Sequence, residues 1–268
     1  MAAFKGAFIS ARPIAREECE MAEAGTGPWP EDQADSYVKS ANIVVAERKR
    51  FLRLMLDIFG YRFADGEGLA LLDLGCGDGS ISKLISGRYP SNDFLLVDGS
   101  EAMLMRARRN FSGPRVSYRR QAFEEYIDSP AQDQAYDFIY SGIAMHHLDF
   151  TGKSQLYAKV FRELKFGGLF LNFDMVLPPS EDSERWQFRM WSDWMKEELA
   201  RSAEIDMGSF LRLQNAATVE DIPGNNKLKS ENKPSGLLDQ LQLLAKIGFR
   251  DVDCFYKFGV FALFGGTK

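Results

Sequence analysis

Two histidines and three cysteines in 268 residues leave the chain little with which to hold a transition metal or a disulfide framework. Cys19, Cys76 and Cys254 lie far apart, are odd in number and lack metal-ligand spacing, so neither a zinc site nor a set of bridges is expected. No run of about eighteen apolar residues occurs, so no transmembrane helix is predicted. The N-terminus mixes small and apolar residues with Glu17, Glu18 and Glu20, which is not a secretory signal, and the expected compartment is the cytoplasm. A positive excess is missing too: 33 Lys and Arg against 38 Asp and Glu give a net charge of −5, unlike the basic face of a nucleic-acid enzyme. Repeats and low-complexity segments are absent. What remains is a chain long enough for one large domain with an inserted cap, suited to a small-molecule partner. Its oligomeric state is not legible.

What is there is concentrated in Leu71-Leu72-Asp73-Leu74-Gly75-Cys76-Gly77-Asp78-Gly79. An apolar run ends in an acid, and glycines at alternate positions then open a helical stretch, the pattern of a buried strand stopping at a tight turn. Open α/β sheets bind cofactors at such turns, where glycine lets the backbone approach a ligand closely. A dinucleotide site wants G-x-G-x-x-G, but here the third glycine, Gly79, comes one residue early and Ser80 holds the expected place. Asp73 would repel a pyrophosphate and suits a ligand carrying an ammonium or sulfonium group. Asp98 ends the next apolar run, where an acid accepts hydrogen bonds from ribose hydroxyls. A ribose and an amino acid without phosphates describe S-adenosylmethionine. Cys76, inside the turn, reads as a small residue that fits there.

Residues 1–31 have little periodicity and are expected to form a flexible arm, with the main domain over 32–268. Apolar residues at helical spacing (Tyr37, Val44, Phe51, Met55) predict one or two amphipathic helices over 32–59. Strand and helix signals then alternate: strand 70–74, helix 79–88, strand 93–98, helix 100–109, strands 115–120 and 136–141, helix 152–164, strand 168–175. This predicts an α/β fold, a doubly wound and mostly parallel sheet with helices on both faces. After Pro178-Pro179 the pattern predicts a helical cap over about 178–236, with a long aromatic-rich helical stretch at 181–213 and a polar loop at 221–234. A helix at 237–246 and two tightly joined strands, 252–257 and 260–264, close the chain as an antiparallel pair.

These segments together resemble the class I S-adenosylmethionine-dependent methyltransferases, small-molecule type. The likeness runs through Leu72 to Gly79, Val97-Asp98-Gly99-Ser100 with Met103, Gln121-Ala122-Phe123, Tyr136 to Ser141 followed by Ala144-Met145-His146-His147-Leu148, and Leu164-Lys165-Phe166-Gly167-Gly168. Phe166 departs from the usual proline of that turn. The resemblance implies a Rossmann-like seven-stranded sheet with one antiparallel strand, covering roughly residues 35 to 268. It implies that Gly75, Gly77 and Gly79 line the methionine end with Asp73 near its amino group, that Asp98 and Gly99 meet the ribose, and that Met103, Ala122 and Phe123 sandwich the adenine. Gln121 stands where an acid is commoner, Ser141 touches the cofactor, and Tyr37 closes over it.

Methyl transfer is an in-line displacement, so a base is needed only where the acceptor must lose a proton. His146 and His147, adjacent after the fourth strand, are the candidates, since imidazole takes a proton near neutral pH. Three of the four tryptophans fall between Trp186 and Trp194. Trp186, Trp191 and Trp194, with Arg189, are expected either to wall an acceptor pocket or to pack the cap onto the sheet. The expected function is methyl transfer to a small metabolite with no metal. A transfer-RNA or other RNA methyltransferase, and a non-catalytic or atypical S-adenosylmethionine-binding protein, stand as alternatives, with a nicotinamide oxidoreductase last.

Overall fold

Alternation along the strands decides the layers. The computed structural model describes residues 40–64 and 66–268, and the 1–31 arm and Tyr37 lie outside the described residues. Seven strands, β1 (Ala70–Leu74), β2 (Asp93–Asp98), β3 (Val116–Arg120), β4 (Tyr136–Gly142), β5 (Leu164–Met175), β6 (Arg250–Phe258) and β7 (Phe261–Thr267), form one sheet in the order 3-2-1-4-5-7-6. Strands β1 to β5 pair in parallel, and β7 runs antiparallel to both β5 and β6. The strand order reverses beside β1, so the C-terminal ends of β1, β2 and β4 frame the crevice in which open α/β sheets bind ligands.

Leu71, Phe138, Tyr140, Leu171, Phe173 and Leu263 point to one face of the sheet, and Leu72, Ile139, Phe170, Ala262 and Phe264 to the other. The first face is covered by α1 (Arg48–Phe63), whose Phe51 stacks on Phe173 at 4.1 Å, and by α2 (Ser80–Arg88) and α3 (Glu101–Asn110). The second carries α4 (Phe123–Asp128), α5 (Phe150–Glu163) and α9 (Leu237–Ile247), which supply Tyr126, Leu156, Val160 and Leu244. Between β5 and α9 lie α6 (Glu181–Arg201), α7 (Met207–Gln214) and α8 (Asp221–Leu228), which pack on the first face through Trp191, Met195, Phe210 and Ile222.

The expected elements need five corrections. The leading helix begins at Arg48 and runs to Phe63, preceded by a helical turn over 40–44. The aromatic stretch 181–213 is two helices, because Ser202 ends α6 and Asp206 caps α7 by accepting from the Ser209 amide. The loop expected at 221–234 begins as α8: Pro223 falls in the first turn, where no amide donor is required, and Asp221 binds the Thr218 amide and hydroxyl. The short α4 has a single buried residue, Tyr126, and so no periodicity to read; Glu125 reaches back to the Ala122 amide to start it. Strand β5 also starts earlier than 168, at Leu164, and takes in the Phe166 turn.

Candidate active site

The glycine turn after β1 is shaped from both sides. Gly75 has φ +71° and a Cβ there would sit 2.4 Å from Cβ of Ala144 and 3.1 Å from the Phe123 ring, so the loops after β1, β3 and β4 meet at this residue. Gly77, at φ +55°, has open space where a Cβ would project. Its amide donates to Oδ2 of Asp98 at 2.8 Å, while Oδ1 of Asp98 accepts from the Ser100 amide at 2.8 Å. The Gln121 amide donates to the carbonyl of Asp98, and Gly99 and Ala122 lie so close that a Cβ on Gly99 would come 3.3 Å from Cα of Ala122. Met103 is buried, one turn into α3. The cofactor residues expected from the sequence, Tyr37 apart, are therefore gathered along the ends of β1, β2, β3 and β4.

Four of them carry details that the sequence could not show. Asp73 is buried, accepts from the Ser82 hydroxyl at 2.6 Å through Oδ2, and leaves Oδ1 with no protein partner. Burial pushes its carboxyl up to about 7 against the help of Ser82, and the nearby Asp98 and Asp78 add to the rise. Cys76 is buried in the turn, and burial together with Asp73, Asp98 and Asp78 pushes its thiol upward, so it fills space as a neutral group. Ser141 is buried and donates to the carbonyl of Leu74, tying the end of β4 to the end of β1. Gln121 points its amide nitrogen at the carbonyl of Glu125, and its Oε1 is buried without a partner.

Met145–His147 form a 3-10 turn directly after the Ala144 that abuts Gly75. His146 is buried, with Nδ1 2.7 Å from Oδ1 of Asp174, the penultimate residue of β5. His147 places Nδ1 3.0 Å from the carbonyl of Glu231, and burial together with the neighbouring His146 pulls its imidazole down to about 4. The segment 229–236 crosses this turn as a strap: the Lys233 amide donates to the carbonyl of His146, and the Leu177 amide donates to the carbonyl of Ser235. The ammonium of Lys153, on α5, is buried beneath the strap and donates to the carbonyls of Leu148 and Lys233. Burial lowers that ammonium to about 8.

Asp174, Lys153 and the strap were not anticipated. A signal for Asp174 was available: Asn172 and Asp174 are the polar residues in the apolar run Leu169 to Val176, two apart and thus on one face of a buried strand. The tryptophans separate by position. Trp191 is 3% exposed, donates its indole N–H to the carbonyl of Val44 and packs edge-on against Phe261, so its role is packing, not an acceptor wall. Trp194 is half-buried against Phe258, whereas Trp186 and Arg189 are exposed.

Residues 71–168 match the family described as a methyltransferase domain. The chain is 33% identical over 103 residues to a trans-aconitate 2-methyltransferase of Variovorax paradoxus, covering 38% of this chain and 37% of that one. It is 25% identical over 138 residues to a malonyl-[acyl-carrier protein] O-methyltransferase of Bacillus cereus, covering 52% and 48%. The chain thus spans about half or less of the length of these relatives. A solved structure described as a putative S-adenosylmethionine-dependent methyltransferase of Listeria monocytogenes shares the fold, with a TM-score of 0.52 at 20% identity over 82% of this chain and 99% of that one. The methyltransferase-domain match takes in the glycine turn after β1, the acid at the end of β2 and the histidine turn after β4, and the likeness to the Listeria structure is one of fold.

Proposed function

We propose that the protein transfers the methyl group of S-adenosylmethionine to a small-molecule acceptor, with His146 taking the acceptor's proton. The observation that carries this reading is the buried His146–Asp174 pair on the turn that touches Gly75. The cradle suits the cofactor on its own chemistry. Asp73 has an unpartnered buried oxygen and a carboxyl raised by burial among other acids, which a cationic group would relieve. Both oxygens of Asp98 already accept an amide, and each keeps a lone pair for a ribose hydroxyl. Gly77 leaves room for close approach, and Met103, Ala122 and Phe123 supply apolar faces for the adenine.

When bound, S-adenosylmethionine supplies a methyl group already activated by its sulfonium. The protein's task is then alignment, exclusion of water and, where the acceptor carries a proton, its removal. Of the two histidines, His146 is the suited base. Its ring faces a carboxylate that stabilises an imidazolium, while His147 faces a carbonyl and is held neutral by burial. The names of the two curated relatives, trans-aconitate and malonyl-[acyl-carrier protein] methyltransferases, support an acceptor of metabolite type.

Calorimetric titration with S-adenosylmethionine, S-adenosylhomocysteine and NAD tests the cofactor half. Binding of the first two and none of NAD is expected, and Asp98→Ala should weaken it by about 1–3 kcal/mol, the scale of lost hydrogen bonds to a charged group. Unchanged affinity in that variant would remove Asp98 from the ribose. Acceptors are then screened by release of S-adenosylhomocysteine, and His146→Ala should lower turnover while cofactor affinity holds. Equal turnover would return His146 to a packing role.

A further inference from the structure

We infer that Asp174 is a positioning residue: it fixes His146 as the tautomer protonated on Nδ1, leaving Nε2 as the atom that takes a proton, and holds a negative charge behind the ring. This rests on the reading of His146 as base.

The tautomer follows from Asp174 itself. Its Oδ1 lies 2.7 Å from Nδ1 of His146 and also accepts the Met175 amide at 2.8 Å. An oxygen receiving an amide N–H is acting as an acceptor, so the hydrogen between it and the ring belongs to Nδ1. Nε2 then carries the ring's free lone pair. Neither partner is free to turn away. The Asp174 side chain is 2% exposed and that of His146 7%, and the backbone of the histidine turn is held by the strap through Lys233 and, by way of Leu148, through Lys153. The second carboxylate oxygen, Oδ2, is buried without a protein partner, so the charge of Asp174 is little dispersed except through Oδ1.

Among the described residues, the groups facing the pair are few. His147 lies on the same turn, with ring centroids 4.2 Å apart; α5 contributes Lys153 and the neutral Tyr157, both within the field of Asp174, while Asp149, the N-cap of α5, and Lys233 of the strap act on Lys153, and Lys229 acts on His147. Among the charged ones, Asp174 is the group in hydrogen-bond contact with the His146 ring. The proton balance is then simple. The proton leaves the acceptor atom for Nε2, its electron pair stays to form the bond to the methyl carbon, and the carbon–sulfur pair returns to sulfur. The imidazolium left behind faces Asp174, an arrangement in which a carboxylate orients the ring and stabilises its charge without itself taking the proton.

With only two histidines in the chain, the idea can be read spectroscopically without any acceptor. In full-length protein labelled with 15N-histidine, long-range 1H–15N correlation spectra distinguish the two tautomers, and His147→Gln assigns the remaining ring to His146. Wild type is expected to show protonated Nδ1 and bare Nε2 for neutral His146; protonated Nε2 would overturn the inference whatever the variants do. Asp174→Ala should lose the preference, and Asp174→Asn, which keeps an accepting Oδ1 for both donors, should restore it. A tautomer unchanged in Asp174→Ala would also overturn the inference. Charge is separated from orientation by turnover. With an acceptor found by the screen, Asp174→Asn should lower kcat roughly ten- to a hundredfold at unchanged KM; wild-type kcat would overturn the charge role. If the spectra hold but His146→Ala turns over normally, the base reading fails while the tautomer assignment survives.

Discussion

The two halves of the crevice are assembled in different ways. The half around the glycine turn draws on consecutive turns after β1, β2 and β3, between Asp73 and Phe123, and is shaped largely by backbone: glycines with positive φ, and amides that aim the Asp98 carboxylate. The half around the histidine turn brings together His146 from the turn after β4, Asp174 from the end of β5, Lys153 from α5 and carbonyls of the strap at 231–235. The first half is local in sequence and built from residue types with few alternative uses. The second is tertiary, and its members are single polar residues scattered among apolar ones. Spacing reveals the one and packing creates the other.

The cap sharpens this contrast most strongly. Trp191→Ala removes a fully packed indole and its bond to Val44, and should cost about 3–5 kcal/mol of stability, as large-to-small core changes of aromatics do. Denaturant unfolding would measure it, and a loss below about 1 kcal/mol would show that the cap can collapse around the gap. Cofactor affinity of the folded variant should be unchanged, because Trp191 touches α1's approach and β7 rather than the glycine turn.

Asp73 gives the next effect, expressed through pH. Its folded-state value, about 7, lies above the ordinary 3.8, so between those values the folded chain binds more protons than the unfolded one. Stability therefore falls as pH rises through that window, by up to about 4 kcal/mol from this group alone. His147 acts with the opposite sign. Held near 4 in the folded state against 6.5, it binds fewer protons than when unfolded, so its contribution rises with pH between those values and is lost on acidification. Wild type sums the two; Asp73→Asn removes the first, so the variant should gain stability relative to wild type as pH goes from 4.5 to 7.5. A constant difference across that range would show Asp73 titrating normally. In wild type, the affinity for S-adenosylmethionine should rise over the same range as Asp73 ionises, and Asp73→Asn should flatten that rise.

How far the sequence could be read follows the same division. The sheet, its strands and the placement of Asp73 and Asp98 near the ends of β1 and β2 were legible because hydrophobic alternation and glycine spacing are one-dimensional signals. The split of the aromatic helix at Ser202–Asp206 was not, since it depends on caps, and α8 was hidden by a proline and a glycine that a first turn tolerates. Trp191 and Trp186 illustrate the limit. Identical side chains five residues apart on one helix invite one role, yet the 3.6-residue period turns one into the core and the other out to solvent.

Trp186 is accordingly the smallest test and the one that bears on the acceptor. It is 54% exposed near the start of α6, beside Glu184, whose carboxylate pairs with Lys227 of α8 at 2.7 Å. Removing a side chain so exposed should change stability by no more than about 0.5 kcal/mol. If Trp186 and Arg189 line the path of the acceptor, Trp186→Ala and Arg189→Ala should raise the acceptor's KM severalfold while cofactor affinity and unfolding stay at wild-type values. An unchanged KM in both would leave the outer face of α6 as solvated surface. The acceptor would then have to be recognised closer to the histidine turn, by the strap and the end of β5, where the polar groups that could orient it are already buried.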